Sequence, residues 1–224
     1  LLAWLSGYKQ GAHGLAEAIT SSAPWPTTAL AATWQHYLAH VPWVMARQQF
    51  NVLNSHDTPR LRTQVQGNVA LHRLAVVAQF TFPGVPCVYY GDEIGMADTP
   101  ELASRACMVW DDTAWDHEMR AFYQELMRLR RESVVLQSGG FQILAVEADL
   151  LAYQREGANG RFLIILQRSQ TPRPAGSLPI AHGGVPDDAQ LVEHFTGHMA
   201  QVVDGRLILG ALPQGATLWR WGEV

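Results

Sequence analysis

Lysine is nearly missing from this chain. Of its 16 basic residues only Lys9 is a lysine, and the rest are arginines. We read that as compositional bias, without functional weight. Charge is sparse, at 16% of residues with a net charge of -4. No basic stripe is present, which argues against a nucleic-acid partner. No apolar run approaches the roughly 18 to 20 residues that span a membrane, so no membrane partner is expected. Cysteine is limited to Cys87 and Cys107, each inside an apolar run, and both are expected to be buried free thiols. No metal-ligand spacing appears, so neither a metal nor a cofactor is expected. The chain also lacks an initiator methionine, opening Leu1-Leu2-Ala3-Trp4 within a helix-like stretch. No signal peptide is read in the sequence, which says little about location where the chain opens in this way, and a cytoplasmic location is the expectation.

What is present suits a globular core, with 48% hydrophobic residues. Leu1 to Tyr8 reads as a short helix ended by Gly11 and Gly14. Thr27 or Thr28 can cap a second helix, whose apolar positions Leu30, Trp34, Tyr37, Leu38 and Val41 recur at helical spacing. Pro42 should end it, with Trp43 to Gln49 continuing as further turns. Phe50 to Leu53 reads as a strand and Asn68 to Thr81 as an apolar helix. Val85 to Tyr90 reads as a buried parallel strand, and Asp116 to Arg131 as an amphipathic helix. Strand, polar loop, helix, strand, polar loop, helix is the grammar of a parallel sheet with crossover helices.

The pattern changes after Ser138-Gly139-Gly140. Short strands are predicted at 141–146, 150–155, 161–167, 190–195, 206–209 and 216–221, separated by turns such as Asp204-Gly205. An antiparallel all-β module, a sandwich, is expected over residues 137–224, with the boundary near 136.

Two polar clusters sit where strands hand over to helices. The first is Asn51-Val52-Leu53-Asn54-Ser55-His56-Asp57-Thr58-Pro59-Arg60. Taken alone, its His–Asp pair could simply cap a helix. The second is Pro83-Gly84-Val85-Pro86-Cys87-Val88-Tyr89-Tyr90-Gly91-Asp92-Glu93-Ile94-Gly95-Met96, and beyond it lies Arg105-Ala106-Cys107-Met108-Val109-Trp110-Asp111.

In this order and spacing the three segments resemble the α-amylase family of glycoside hydrolases (family 13). The first is similar to the family's His-Asp motif at the end of the seventh barrel strand. The second is similar to its G-x-P-x-x-Y-Y-G-x-E-x-G segment around the eighth strand, and the third to the arginine-to-M-x-W stretch that follows. Ser55, Thr58 and Arg60 resemble the maltodextrin glucosidase, neopullulanase and cyclomaltodextrinase branch. The resemblance implies the C-terminal part of a (β/α)8 barrel over residues 1–136, carrying strands seven and eight, followed by the β-module. It implies a retaining enzyme that cleaves α-1,4-glucosidic bonds of maltodextrins or related α-glucans. Asp57 would be the catalytic carboxylate that stabilises the oxocarbenium-like transition state, and His56 would bind a sugar hydroxyl.

Other residues have plainer readings. Arg60 either pairs with a carboxylate at the site rim or begins a helix, and the structural reading is preferred. Glu93 is expected to be structural, and Tyr89 and Tyr90 to be core. Trp110 either lines a cleft or packs. One face of the strand carrying Trp219 and Trp221 should pack on the barrel. His182, His194 and His198 carry no role.

A retaining glycosidase needs a nucleophile and a general acid. Upstream of His56 the only acidic residue is Glu17, in a context matching neither family motif. The expectation is therefore that a large N-terminal part of the barrel is missing, that it is a required partner, and that the chain alone is inactive. Two other readings share these motifs: an α-glucanotransferase or trehalose-forming relative, and a non-catalytic amylase-like domain. Retention of His56-Asp57 argues against the second.

Overall fold

The computed structural model describes residues 1–6, 23–99 and 104–223. Tyr8, Gly11, Gly14 and Glu17 lie outside the described residues. The fold is α/β, with a group of helices, a short parallel strand pair and a large antiparallel sheet.

The helical part comprises α1 (Leu2–Ser6), α2 (Thr27–His40), α3 (Trp43–Ala46), α4 (Leu61–Gln64), α5 (Val69–Thr81), α6 (His117–Glu132) and α7 (Val134–Ser138). Pro26, not a threonine, occupies the N-cap of α2. The Thr27 hydroxyl is committed elsewhere: it donates to the Ala148 carbonyl at 2.6 Å and accepts from Trp4 Nε1 at 2.9 Å. Asn68 caps α5 through Leu71 N–H, and Asp116 caps α6 through Met119 N–H. Each is an N-cap residue whose side-chain oxygen satisfies an otherwise unpaired amide. Helix α6 buries Met119, Tyr123, Leu126 and Leu129 on one side. Helix α5 is buried continuously from Leu74 to Thr81, as an apolar helix with neighbours all round must be.

Strand β1 (Phe50–Asn51) pairs in parallel with β2 (Val85–Pro86). Both are shorter than the sequence suggests. Among the described residues each has only the other as neighbour. The apolar run after β2 is therefore uncovered, and Cys87 and Cys107 are exposed free thiols instead of buried ones. Tyr89 and Tyr90 are likewise only partly covered, for the same reason.

The antiparallel sheet contains β3 (Gly140–Val146), β4 (Leu150–Glu156), β5 (Gly160–Gln167), β6 (Gly176–Pro179), β7 (Gln190–Glu193), β8 (Met199–Val203), β9 (Arg206–Leu209) and β10 (Gly215–Gly222). Its order is β3-β4-β5-β10-β7-β8-β9-β6. The expected sandwich is thus one continuous sheet, and its end strands β3 and β6 touch, so it curls around its own core. Asp204 and Gly205, both at positive φ, turn β8 into β9. Alternation sorts the side chains. Leu151, Tyr153, Phe162, Ile164, Leu166 and Leu218 join the helical core. Leu150, Ala152, Leu163, Ile165 and Trp219 join the sheet's inner core. Position 136 falls inside α7.

Arg155 rivets the two parts together. It is fully buried and donates to the carbonyls of Thr81, Leu136, Gly139 and Gly140 at 2.7–3.0 Å. Arg155→Met should destabilise the chain by roughly 3 kcal/mol or more in urea titration, because buried carbonyls lose their donors. A loss under ~1 kcal/mol would show that the rivet is dispensable.

His72, on α5, is wholly buried beside Tyr123. Burial pushes its imidazole down from 6.5 to about 4, helped by Arg62 and Arg73. Between those values the unfolded state binds more protons than the folded one. Stability is then full above pH 6.5 and is lost as pH falls toward 4. The loss should reach ~3 kcal/mol, and denaturation of His72→Phe should lack it. An equal acid loss in the variant would contradict this origin.

Candidate active site

The site begins with a clamp. Asn51 Nδ2 lies 3.3–3.4 Å from the carbonyls of Gln79, Phe82 and Pro83. Gln79 Nε2 answers by donating to the carbonyls of Asn51 and Cys87, both at 2.9 Å. Two side-chain amides thereby join β1, the end of α5 and β2. Gly84, at φ +127°, is required here, because a Cβ would approach Asn51 Oδ1 and the Gln49 carbonyl to 2.7 Å.

Past β1 the chain enters a tight turn. Ser55 N–H donates to Thr58 Oγ1 at 2.8 Å, and Asp57 N–H donates to Ser55 Oγ at 3.2 Å. These local bonds turn His56 and Asp57 outward. Their side chains are 62% and 51% exposed and meet through Nε2 and Oδ2 at 3.1 Å. Arg105 completes the group. Its Nη2 lies 2.8 Å from Asp57 Oδ1 and its Nε donates to the His56 carbonyl at 3.1 Å. Ser104 Oγ donates to the same carbonyl at 2.9 Å. The sequence brought His56 and Asp57 forward but left Arg105 without a role. Its place at the head of the third motif segment was the available signal.

Both ends of the turn are anchored below the surface. Asn54 Nδ2 donates to Asp92 Oδ1 at 3.1 Å. Arg60, with no solvent access, donates through Nη1 to the Tyr90 carbonyl at 2.6 Å and lies 3.8 Å from Asp92 Oδ1. Its backbone N–H meets the Asp98 carboxylate at 3.1–3.2 Å. The guanidinium stands 5.1 Å from the Tyr89 ring centre and 4.7 Å from that of Tyr90. Arg60 is thus structural, and it lies beneath the turn, not at a rim. Gly91, at φ +86°, makes room for it: a Cβ would collide with Met96 and press on Arg60 Nη1. Burial pushes the Asp92 carboxyl up to about 7, against the opposing pull of the Asn54 hydrogen bond and the Arg60 charge.

The other candidates separate. Glu93 keeps Oε2 buried with no hydrogen-bond partner among the described residues. Trp110 is 81% exposed, so it does not pack. Trp219 lies in the sheet's own core, while Leu218 and Ala216 of the same strand face α5. His194 bonds Glu125 of α6 at 2.6 Å. Among the described residues no group of three or more His, Cys, Asp or Glu side chains could hold a metal. Among the same residues no helix is long and apolar enough to cross a membrane.

An outward carboxylate and imidazole on a braced turn can bind hydroxyls and stabilise positive charge developing on a bound molecule. Among the described residues no second carboxylate is paired with them.

The alpha amylase catalytic-domain family matches residues 15–140. A cyclomaltodextrinase of a Bacillus species is 38% identical over 66% of this chain and 27% of its own length. Neopullulanase 2 of Thermoactinomyces vulgaris is 34% identical over 80% of this chain and 30% of its own. The solved structure of Ttha1563 from Thermus thermophilus superposes with a TM-score of 0.80 at 29% identity, over 98% of this chain and 46% of that one. The chain spans about a third or less of the length of these curated relatives.

The two arginines should behave oppositely. Arg105→Ala breaks an exposed pair and should cost under ~1 kcal/mol in urea titration. Arg60→Met leaves Asp92 buried without its counter-charge and should cost roughly 3 kcal/mol at pH 8. Equal losses would contradict the division between surface contact and buried anchor.

Proposed function

Because the chain belongs to the α-amylase family, we propose that it is the C-terminal part of a retaining glycoside hydrolase acting on α-1,4-linked glucans such as maltodextrins. In this reading residues 1–136 supply the seventh and eighth strands of a (β/α)8 barrel, with β1 and β2 in those places. Residues 137–224 form the C-terminal β-module. The carrying observation is the outward His56–Asp57 pair at the end of β1, anchored at both flanks on the segment after β2. In a (β/α)8 barrel the chemistry gathers at the C-terminal ends of the strands, which is where both segments lie.

Asp57 takes the role of fixed negative charge. As the glycosidic bond breaks, positive charge grows at the anomeric carbon, and a preorganised carboxylate stabilises it without reorganising. Before that, its oxygens accept hydrogen bonds from sugar hydroxyls, and Arg105 releases Oδ1, the oxygen it holds. His56 hydrogen-bonds a hydroxyl of the same sugar, a contact that strengthens in the transition state. The nucleophile and the general acid come from outside residues 1–224. Double displacement then runs through a covalent glucosyl intermediate on that nucleophile, which water resolves. A sugar hydroxyl in place of water would make the enzyme a glucanotransferase by the same route.

In the complete enzyme Asp57→Asn should lower kcat by about 10²-fold or more while leaving the fold intact by circular dichroism. Turnover near wild type would refute the role of Asp57. The 224-residue chain alone should release no glucose from maltodextrin. Glucose release from the purified chain would refute the claim that two carboxylates lie outside it.

A further inference from the structure

The turn that carries His56 and Asp57 has one shared anchor. Asn54 stands at its start and Arg60 at its end, both buried. The same oxygen, Asp92 Oδ1, accepts from Asn54 at 3.1 Å and faces Arg60 Nη1 at 3.8 Å. Asp92 is itself buried, on the 3-10 turn Asp92–Ile94 that packs against α6. Arg60 has few alternatives, since its Nε and Nη2 are buried with no hydrogen-bond partner among the described residues. Among the described residues Asp92 is the carboxylate within ion-pair reach of that guanidinium. The surface above holds the turn less firmly, because the Arg105–Asp57 pair is more than half exposed.

We propose that Asp92 is a positioning residue for the His56–Asp57 pair, drawing Asn54 and Arg60 together and so fixing the orientation of the turn between them. The inference rests on the reading of His56 and Asp57 as the substrate-facing pair. Asp92 itself touches no substrate. When it is ionised, the guanidinium has a counter-charge and Asn54 a strong acceptor. When it is protonated, a buried cation loses its counter-charge, and its contacts have to rearrange.

The charged and titratable groups around Asp92 are Arg60, Asp98 and the adjacent Glu93, with the Tyr123 hydroxyl on α6. Burial holds the carboxyl near neutral pH, at about 7, so the anchor changes charge within the working range of most enzymes. The orientation of Asp57 should then follow the charge of a residue beneath it.

The test is a pH titration of the 15N-labelled chain, following the Nε–Hε resonances of Arg60 and Arg105. Arginine keeps its own proton throughout, so any inflection reports a neighbour. Arg60 should show an inflection near pH 7, and Arg105, bonded to the His56 carbonyl and Asp57, should show one at the same pH. Asp92→Asn should abolish both. Asn54→Ala cuts the link to the start of the turn and leaves Asp92 facing Arg60. There the Arg60 inflection should persist and the Arg105 inflection should disappear.

An Arg105 inflection unchanged in either folded variant would overturn the proposal, since the turn would then respond to something other than Asp92. This readout needs no catalysis. Absence of α-glucan cleavage by the complete enzyme would therefore sink the functional reading and leave the coupling standing.

Discussion

A guanidinium without solvent access, that of Arg60, is the constraint around which the site is organised. A buried cation is tolerated only where charge and hydrogen bonds compensate it. Among the described residues the compensation comes from one carboxylate, one carbonyl and the faces of two tyrosines. Those groups all belong to the segment after β2, so the turn after β1 is held against it. His56 and Asp57 sit between the two fixed ends and are free to face outward. Rigid beneath and open above is the arrangement a preorganised electrostatic site requires.

The scarcity of lysine takes on a structural meaning in this light. Several arginines do what a lysine cannot, spanning two or more backbone carbonyls with one planar fork. Arg155 reaches four carbonyls, and Arg168 reaches those of Trp4 and Trp25 while pairing with Asp149. Arg130 binds the carbonyls of Phe80 and Gly84, just where α5 gives way to β2. These are helix ends and loop crossings, places where carbonyls are left unpaired. The arginines join helices, strand pair and sheet into one scaffold beneath the site.

What could be read in advance depended on how local the signal was. The caps Asn68 and Asp116 and the apolar rows of α5 and α6 lie within a few residues of one another, and those helices were legible. So were β5, β9 and β10, where alternation and turn residues agree. Strand β8 was missed although its Ala200 and Val202 alternate inward, and β6 was hidden in a Pro- and Gly-rich connection. The shortness of β1 and β2, the exposure of Cys87 and Cys107, and the open faces of Tyr89 and Tyr90 depend on which neighbours cover them. No local pattern encodes that. In the site, the His56–Asp57 pair became specific only through the Gly84-to-Gly95 segment that follows it. Arg105 and the Asn54–Asp92–Arg60 anchor are contacts across some 30 to 50 positions, and they emerged only from the fold.

The central claim is that the braced His56–Asp57 pair receives a glucan. Its most direct test is the structure of the complete enzyme holding a maltodextrin. Hydroxyls of one glucose unit should lie within hydrogen-bond distance of Asp57 and His56, with Arg105 drawn away from Asp57 Oδ1. A maltodextrin seated elsewhere, with the Arg105–Asp57 pair intact, would contradict the account.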